Sequence, residues 1–281
     1  MGGAWQAWED FVFQCQGSVE ETYEFADRAP EQKTFHFNGM GTNFRCEWTN
    51  QNSASQAAGL NSAYGFCVSN ESQESPWRID GLDTSERIRE RIVARNQFLR
   101  IGDMVFWQSL RWIMAQPTFK IRDIQMLADA KKGQVRMHFD CNAHDRYDVL
   151  GGWVSLDPAC SWAVCEFDLK MRFQYGPGVI HGWNEHAGTL GGFPVPVRHV
   201  MELRDPGGLV RCTISFDGYS TGDVRESDCR LSAFGLPEPG TTAIASNRSF
   251  WLTVSTVCLL ILLAVFFRRR AARYRVRSES G

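Results

Sequence analysis

Across 281 residues there is no repeat of fixed period, no low-complexity tract and no CxxC pair. The first absence excludes solenoids and propellers, the second an extended disordered region, and the third zinc-ribbon and thioredoxin-type motifs. Acidic residues outnumber basic ones in the chain before its C-terminal end. Of 30 Lys and Arg and 32 Asp and Glu, seven basic residues and one acidic residue fall at Arg248 or later. That leaves 23 basic and 31 acidic residues before them, a net charge of −8. An acidic body speaks against nucleic acid, whose binding rests on neutralising phosphates.

One long apolar run stands out. Phe250 to Phe267 is eighteen residues without charge, proline or glycine. As a helix it spans about 27 Å, close to the hydrocarbon core of a bilayer. Arg268, Arg269, Arg270, Arg273, Arg275 and Arg277 follow it, against Arg248 alone before it. Positive charge is retained on the cytoplasmic side. The expected organisation is therefore an extracytoplasmic domain over 1–236, a short Pro/Gly/polar stalk over 237–249, a transmembrane helix over 250–267, and a basic cytoplasmic tail over 268–281. The tail is expected to rest against anionic headgroups. Export of the large domain needs a leader, and "MGGAWQAWEDFVFQCQG" lacks both the basic start and the apolar stretch of one. The expectation is a start upstream of Met1; the alternative, a domain left in the cytosol with the basic tail crossing the membrane, contradicts the charge rule.

Ten Trp and nineteen Phe supply ample area for one large core. Of nine cysteines, Cys258 falls in the span, and the other eight permit disulfides in an exported domain. Their connectivity cannot be read from spacing.

The periodicity reads as α+β. Trp5, Trp8, Val12 and Cys15 recur at helical spacing and lead into a strand. Phe44, Cys46 and Trp48 alternate with Arg45 and Glu47, as in a strand with one wet face. "DTSERIRERIVARNQFL" opens with capping residues and sets Ile88, Ile92 and Leu99 on one side of a helix. "DMVFWQSLRWIMAQP" reads as a second helix, stopped by Pro117. An antiparallel meander follows: a hairpin around "ADAKKGQ", another around "RDPGG", and a last short strand in "CRLSAF". In "WAVCEFDLKMRFQY" the alternation points Ala163, Cys165, Phe167, Leu169, Met171, Phe173 and Tyr175 one way. The expected fold is a curved antiparallel sheet, half-barrel-like, with a few helices on its apolar face. Phe167, Leu169, Met171 and Phe173 are the candidate lining of an apolar ligand cavity, or else they fill a core.

No motif carries a reaction. "GYSTG" at Gly218–Gly222 matches GxSxG, but it follows a meander strand and no helix comes after it, so Ser220 is expected to be a turn residue. His181 and His186 stand five apart beside Glu185. In a strand that puts them on opposite faces. His138, Cys141 and His144 lack ligand spacing as well. "GTLGGFPVP" lacks the following helix that a phosphate cradle needs, and reads as a flexible loop between strands. No metal, cofactor or catalytic set is expected.

The order "FRCEW", "WRIDGL", central helices, "VRMHF", "GWVSLDP…WAVCEFDLKM", "GFPVPVRHVMEL" and "LSAFGLPEP" resembles uncharacterised bacterial envelope proteins with one C-terminal span. Over about residues 5–236 the domain resembles the lipoprotein-carrier half-barrel of the LolA/LolB type. The resemblance implies an antiparallel sheet curled around an apolar cavity, lidded by helices, that binds acyl chains or related cargo without catalysis. The expected function is a non-enzymatic, membrane-anchored envelope protein binding a lipid or other hydrophobic ligand. The alternative is a membrane-anchored sensor or interaction module with a packed core. An impermeant thiol reagent applied to intact cells is expected to label domain cysteines, after reduction if they are paired. Labelling only after lysis would reverse the orientation.

Overall fold

Alternation in the sequence becomes thirteen strands, and the order in which they pair dictates everything around them. In the computed structural model the described residues are 2–50, 54–72, 74–95, 99, 102–106, 108–127, 133–143, 148–173 and 176–239. The chain divides into two units, Met1–Leu236 and Pro237–Gly281. The expected span 250–267 and tail 268–281 lie outside the described residues. Among the described residues no helix is long and apolar enough to cross a membrane.

Helix α1 (Gly2–Val12) leads into β1 (Cys15–Phe25), β2 (Glu31–Met40), β3 (Asn43–Asn50), β4 (Ser55–Leu60), β5 (Gly65–Asn70) and β6 (Arg78–Asp83). Helices α2 (Ser85–Arg95) and α3 (Leu110–Met114) come next. Then follow β7 (Lys120–Met126), β8 (Val135–Ala143), β9 (Asp148–Asp157), β10 (Ala163–Phe173), β11 (Gly176–Leu190), β12 (Phe193–Asp205) and β13 (Gly208–Thr221). All thirteen form one curved antiparallel sheet in the order β6-β5-β4-β3-β2-β1-β13-β12-β11-β10-β9-β8-β7. The chain meanders outward from the middle to one edge, crosses to the opposite edge, and meanders back until β13 pairs β1. On a flat sheet that crossing spans twelve strand spacings, about 58 Å. Residues 84–119 make it, and they carry α2 and α3.

The crossing covers one face. Ile88 and Ile92 of α2, Leu99, Val105, Phe106, and Leu110 and Ile113 of α3 are buried in the same core cluster as the apolar side chains of the sheet. Close approach needs glycine at particular points. A Cβ on Gly65 would sit 2.7 Å from Ile88 Cβ, and one on Gly102 2.5 Å from the Trp8 indole. A second, smaller core lies on the opposite face of β4 and β5. There Ala57, Phe66 and Val68 meet Leu231 and Phe234.

Three expectations change. Helix α3 is only five residues long, because Asp103 takes over the preceding stretch: its carbonyl accepts from Leu110 N (2.7 Å), and its buried carboxylate accepts from Arg111. Ser109 caps the helix, accepting from Trp112 N at 3.1 Å. "CRLSAF" is not a strand but two 3₁₀ turns, Glu226–Cys229 and Leu231–Phe234. They are pinned where Asn61 Nδ2 donates to Cys229 O and Leu231 N donates to the Tyr64 hydroxyl. "GTLGGFPVP" is no flexible loop. Gly191 (φ 58°) and Gly192 (φ 86°) turn β11 tightly into β12, the paired left-handed residues of a type I′ hairpin.

Phe167 lies over Gly182, its cross-strand partner. A Cβ on Gly182 would stand 2.4 Å from Phe167 Cζ and 2.6 Å from Val200 O. Gly182→Ala is therefore expected to cost about 1–3 kcal/mol by overpacking. A lowered denaturant midpoint with unchanged slope would show it, and an unshifted midpoint would contradict this packing.

Candidate functional site

Cross-strand partners share a face, so the register traces the apolar face strand by strand. One row runs Ile124, Met137, Val154, Phe167, Gly182, Met201, Cys212, Tyr23 from β7 to β1. The next runs Ile121, Phe139, Gly152, Leu169, Ile180, Leu203, Val210, Phe25 along the same eight strands. Of the four residues expected to line a cavity, Phe167, Leu169 and Met171 are fully buried in the main core cluster, and Phe173 is half-buried against it. They belong to the core.

The face reaches solvent at its edge. Ile121, Ile124 and Met126 on β7 lie opposite Phe139, Met137 and Val135, yet they are 47%, 58% and 68% exposed. The register shift at Arg122 turns Ile124 onto the same face as Ile121, three residues earlier. Periodicity misses this row because the bulge breaks strict alternation in "KIRDIQM". Arg122 itself pairs with Asp140 across the strand. Trp112 and Phe119 pack half-buried against the core beside it, Phe119 with its ring 5.2 Å from that of Phe139.

A small polar network fixes the crossing segment to the sheet. Asn184 Nδ2 donates to Val164 O (2.7 Å) and Met104 O (3.3 Å). With both hydrogens spent, Asn184 Oδ1 can only accept, and it does so from His199 Nδ1 at 2.6 Å. The imidazole thus carries its proton on Nδ1, and it stacks on Phe167. Val164 N donates to Gly102 O at 3.1 Å.

The other sequence candidates fall elsewhere. His181 approaches Asp168 (3.8 Å) on the opposite face, while His186 turns under Trp8, ring to ring at 5.7 Å. The five-residue spacing does separate them. His138 lies on the face of β8 opposite to Cys141, which is buried, and His144 lies outside the described residues. Among the described residues no three His, Cys, Asp or Glu side chains gather as a metal site would require. Ser220 sits within β13 and accepts from Gln16 Nε2 at 3.1 Å, with no elbow around it. Cys46 and Cys67 flank Ala58 on the same face, two strands apart; that is about 9.6 Å, too far for a disulfide. No disulfide joins the described cysteines.

No protein-family model matches the chain, and no curated protein matches it in sequence. Two solved structures align with it over most of their length at low similarity. A DUF1329 family protein from Desulfovibrio piger has 8% identity and a TM-score of 0.44, covering 83% of this chain and 98% of its own. A LolA superfamily protein from Nitrosomonas europaea has 10% identity and a TM-score of 0.42, with the same shares.

Burial holds two imidazoles neutral. His199 is pushed down to about 3, and His186 to about 4 despite the opposing pull of Asp157. Both bind protons more readily unfolded, so their contribution is complete above about pH 6.5. It is lost on acidification toward the folded values, at about 1.4 kcal/mol per pH unit for each group. The melting temperature is expected to fall between pH 6.5 and 4.5, and His199→Asn, which keeps a donor toward Asn184, to remove about half of that fall. A wild-type melting temperature flat over this range would contradict it.

Proposed function

We propose that this chain is a non-enzymatic binding protein for a lipid or other hydrophobic ligand. The observation that carries the reading is the apolar row that leaves the sealed core and opens to solvent at Ile121, Ile124 and Met126. Burying an exposed aliphatic side chain of this size is worth about 1.5–3 kcal/mol, and an acyl chain laid along β7 and β8 supplies the missing cover. Phe167 and Leu169 continue these rows three strands inward as sealed core. Access deeper into the face requires movement of the crossing segment, whose hydrogen bonds to the sheet include Asn184 Nδ2 to Met104 O and Val164 N to Gly102 O.

The sequence adds a location. An apolar run at 250–267 followed by six arginines supports a single-pass anchor with the domain outside the cytoplasm. In that setting the domain works beside a bilayer, where its ligand is abundant. The absence of catalysis is part of the proposal, and the placement of Ser220 inside a strand supports it.

The test is photocrosslinking in cells expressing the full chain and fed a diazirine-bearing palmitic acid. Adducts are expected on tryptic peptides from β7 and β8. Ile124→Asp, which alters an exposed position, is expected to lower their yield at least fivefold while leaving the melting temperature within about 2 °C. Adducts confined to the 250–267 peptide would contradict the reading.

A further inference from the structure

The eight domain cysteines are not equivalent. Six are buried, and only Cys160 and Cys165 are partly exposed. Both line the same cleft, of about 430 Å³, beside Asp157. The chain is bent to bring them there. After the 3₁₀ turn Pro158–Cys160, Ser161 (φ 56°) and Trp162 (φ 62°) adopt left-handed backbone in succession. They are the two non-glycine residues among the described ones that do so. Such conformations are uncommon for residues other than glycine. Cys165 then falls at the register shift between Val164 and Glu166, which takes its side chain out of the alternation expected for "AVCEF". Its Sγ donates to Ala163 O at 3.6 Å.

Two independent distortions, a left-handed pair and a bulge, converge on one feature: two accessible thiols at one cleft. We propose that Cys160 and Cys165 form an oxidisable dithiol, closed to an intramolecular disulfide by exchange with a small-molecule disulfide. The Cys165 sulfur attacks one sulfur of the reagent; a mixed disulfide forms, the reagent's S–S bond breaks, and one small thiol leaves with the proton. The Cys160 sulfur then attacks Cys165 Sγ, the Cys160–Cys165 bond forms, and the second small thiol leaves with the Cys160 proton. Two cysteine thiols are oxidised and one reagent disulfide is reduced to two thiols. Burial, together with the Asp157 carboxylate, raises the Cys160 thiol above its ordinary value, so it is mostly protonated near neutral pH and is not the sulfur assigned to the first attack.

The closed bond would tighten what the turn supports. Trp5 Nε1 of α1 donates to Trp162 O (2.9 Å), and Val164 N donates to Gly102 O. Helix α1 and the crossing segment both fasten to these few residues. Oxidation of this pair thus acts on the cover of the apolar face without touching the face itself.

Tryptic cleavage after Arg146 and Lys170 places both cysteines in one peptide, 147–170. The full chain is equilibrated with oxidised glutathione, quenched by alkylation under denaturing conditions, and mapped by mass spectrometry. The expected result is that peptide about 2 Da light and unalkylated, with the six buried cysteines alkylated. In Cys160→Ser the same treatment is expected to stop at a stable glutathione adduct on Cys165. Peptide 147–170 with both cysteines alkylated, or with a separate glutathione on each, would overturn the proposal. So would disulfides linking either cysteine to one of the buried six.

Discussion

The rest of the structure depends on one topological constraint. Strands β1 and β13 pair in the middle of the sheet, so β6 and β7, separated in sequence by residues 84–119, stand at opposite edges. The chain between them must cross a whole face. A second sheet is not needed to bury the apolar side, because the crossing itself, with Leu99, Val105, Phe106 and the short helices, is the cover. Curvature follows from the same demand. Shifts of register in β1, β7, β9 and β10 let a sheet this wide bend, and bending shortens the distance the crossing has to travel.

The cover is attached differently along its length. Near β4 to β6 it is a helix packed closely on glycine-bared strands, with Ile88 over Gly65. Near β10 and β11 it is a run of turns and bends, to which Asn184 and Val164 hydrogen-bond. At β7 the cover ends, and three aliphatic side chains face water. Hydrophobic burial therefore declines from a sealed core to an open shelf along one continuous face. A ligand that prolongs the core outward over that shelf gains contacts without the protein first having to unpack Phe167 or Leu169.

Much of the sheet was legible because its strands obey a period of two. The alternation in β3, β10 and β13 reads directly from residues such as Phe44, Cys46 and Trp48. The helix over Ser85–Arg95 announces itself by caps and spacing. What was not legible are the places where a side chain overrides local pattern. Asp103 bends a segment whose hydrophobicity promises a longer helix, and Tyr64 and Asn61 hold "CRLSAF" in 3₁₀ turns from far along the chain. The small residues of "SQAAGL" give no strand signal, although β4 is sealed on both faces. Phe167, Leu169 and Met171 alternate cleanly, and the alternation is the same whether a face lines a cavity or fills a core. The bulge at Arg122 hides the solvent-facing row in a segment that looks merely polar.

Native mass spectrometry of the full chain, released from micelles after purification without added lipid, tests the central claim most directly. A stoichiometric added mass that extracts into organic solvent, and that is reduced in Ile124→Asp, is the outcome this account predicts. A bare chain mass that stays bare after incubation with total lipid extract would contradict it, and the row on β7 would then be no lipid site.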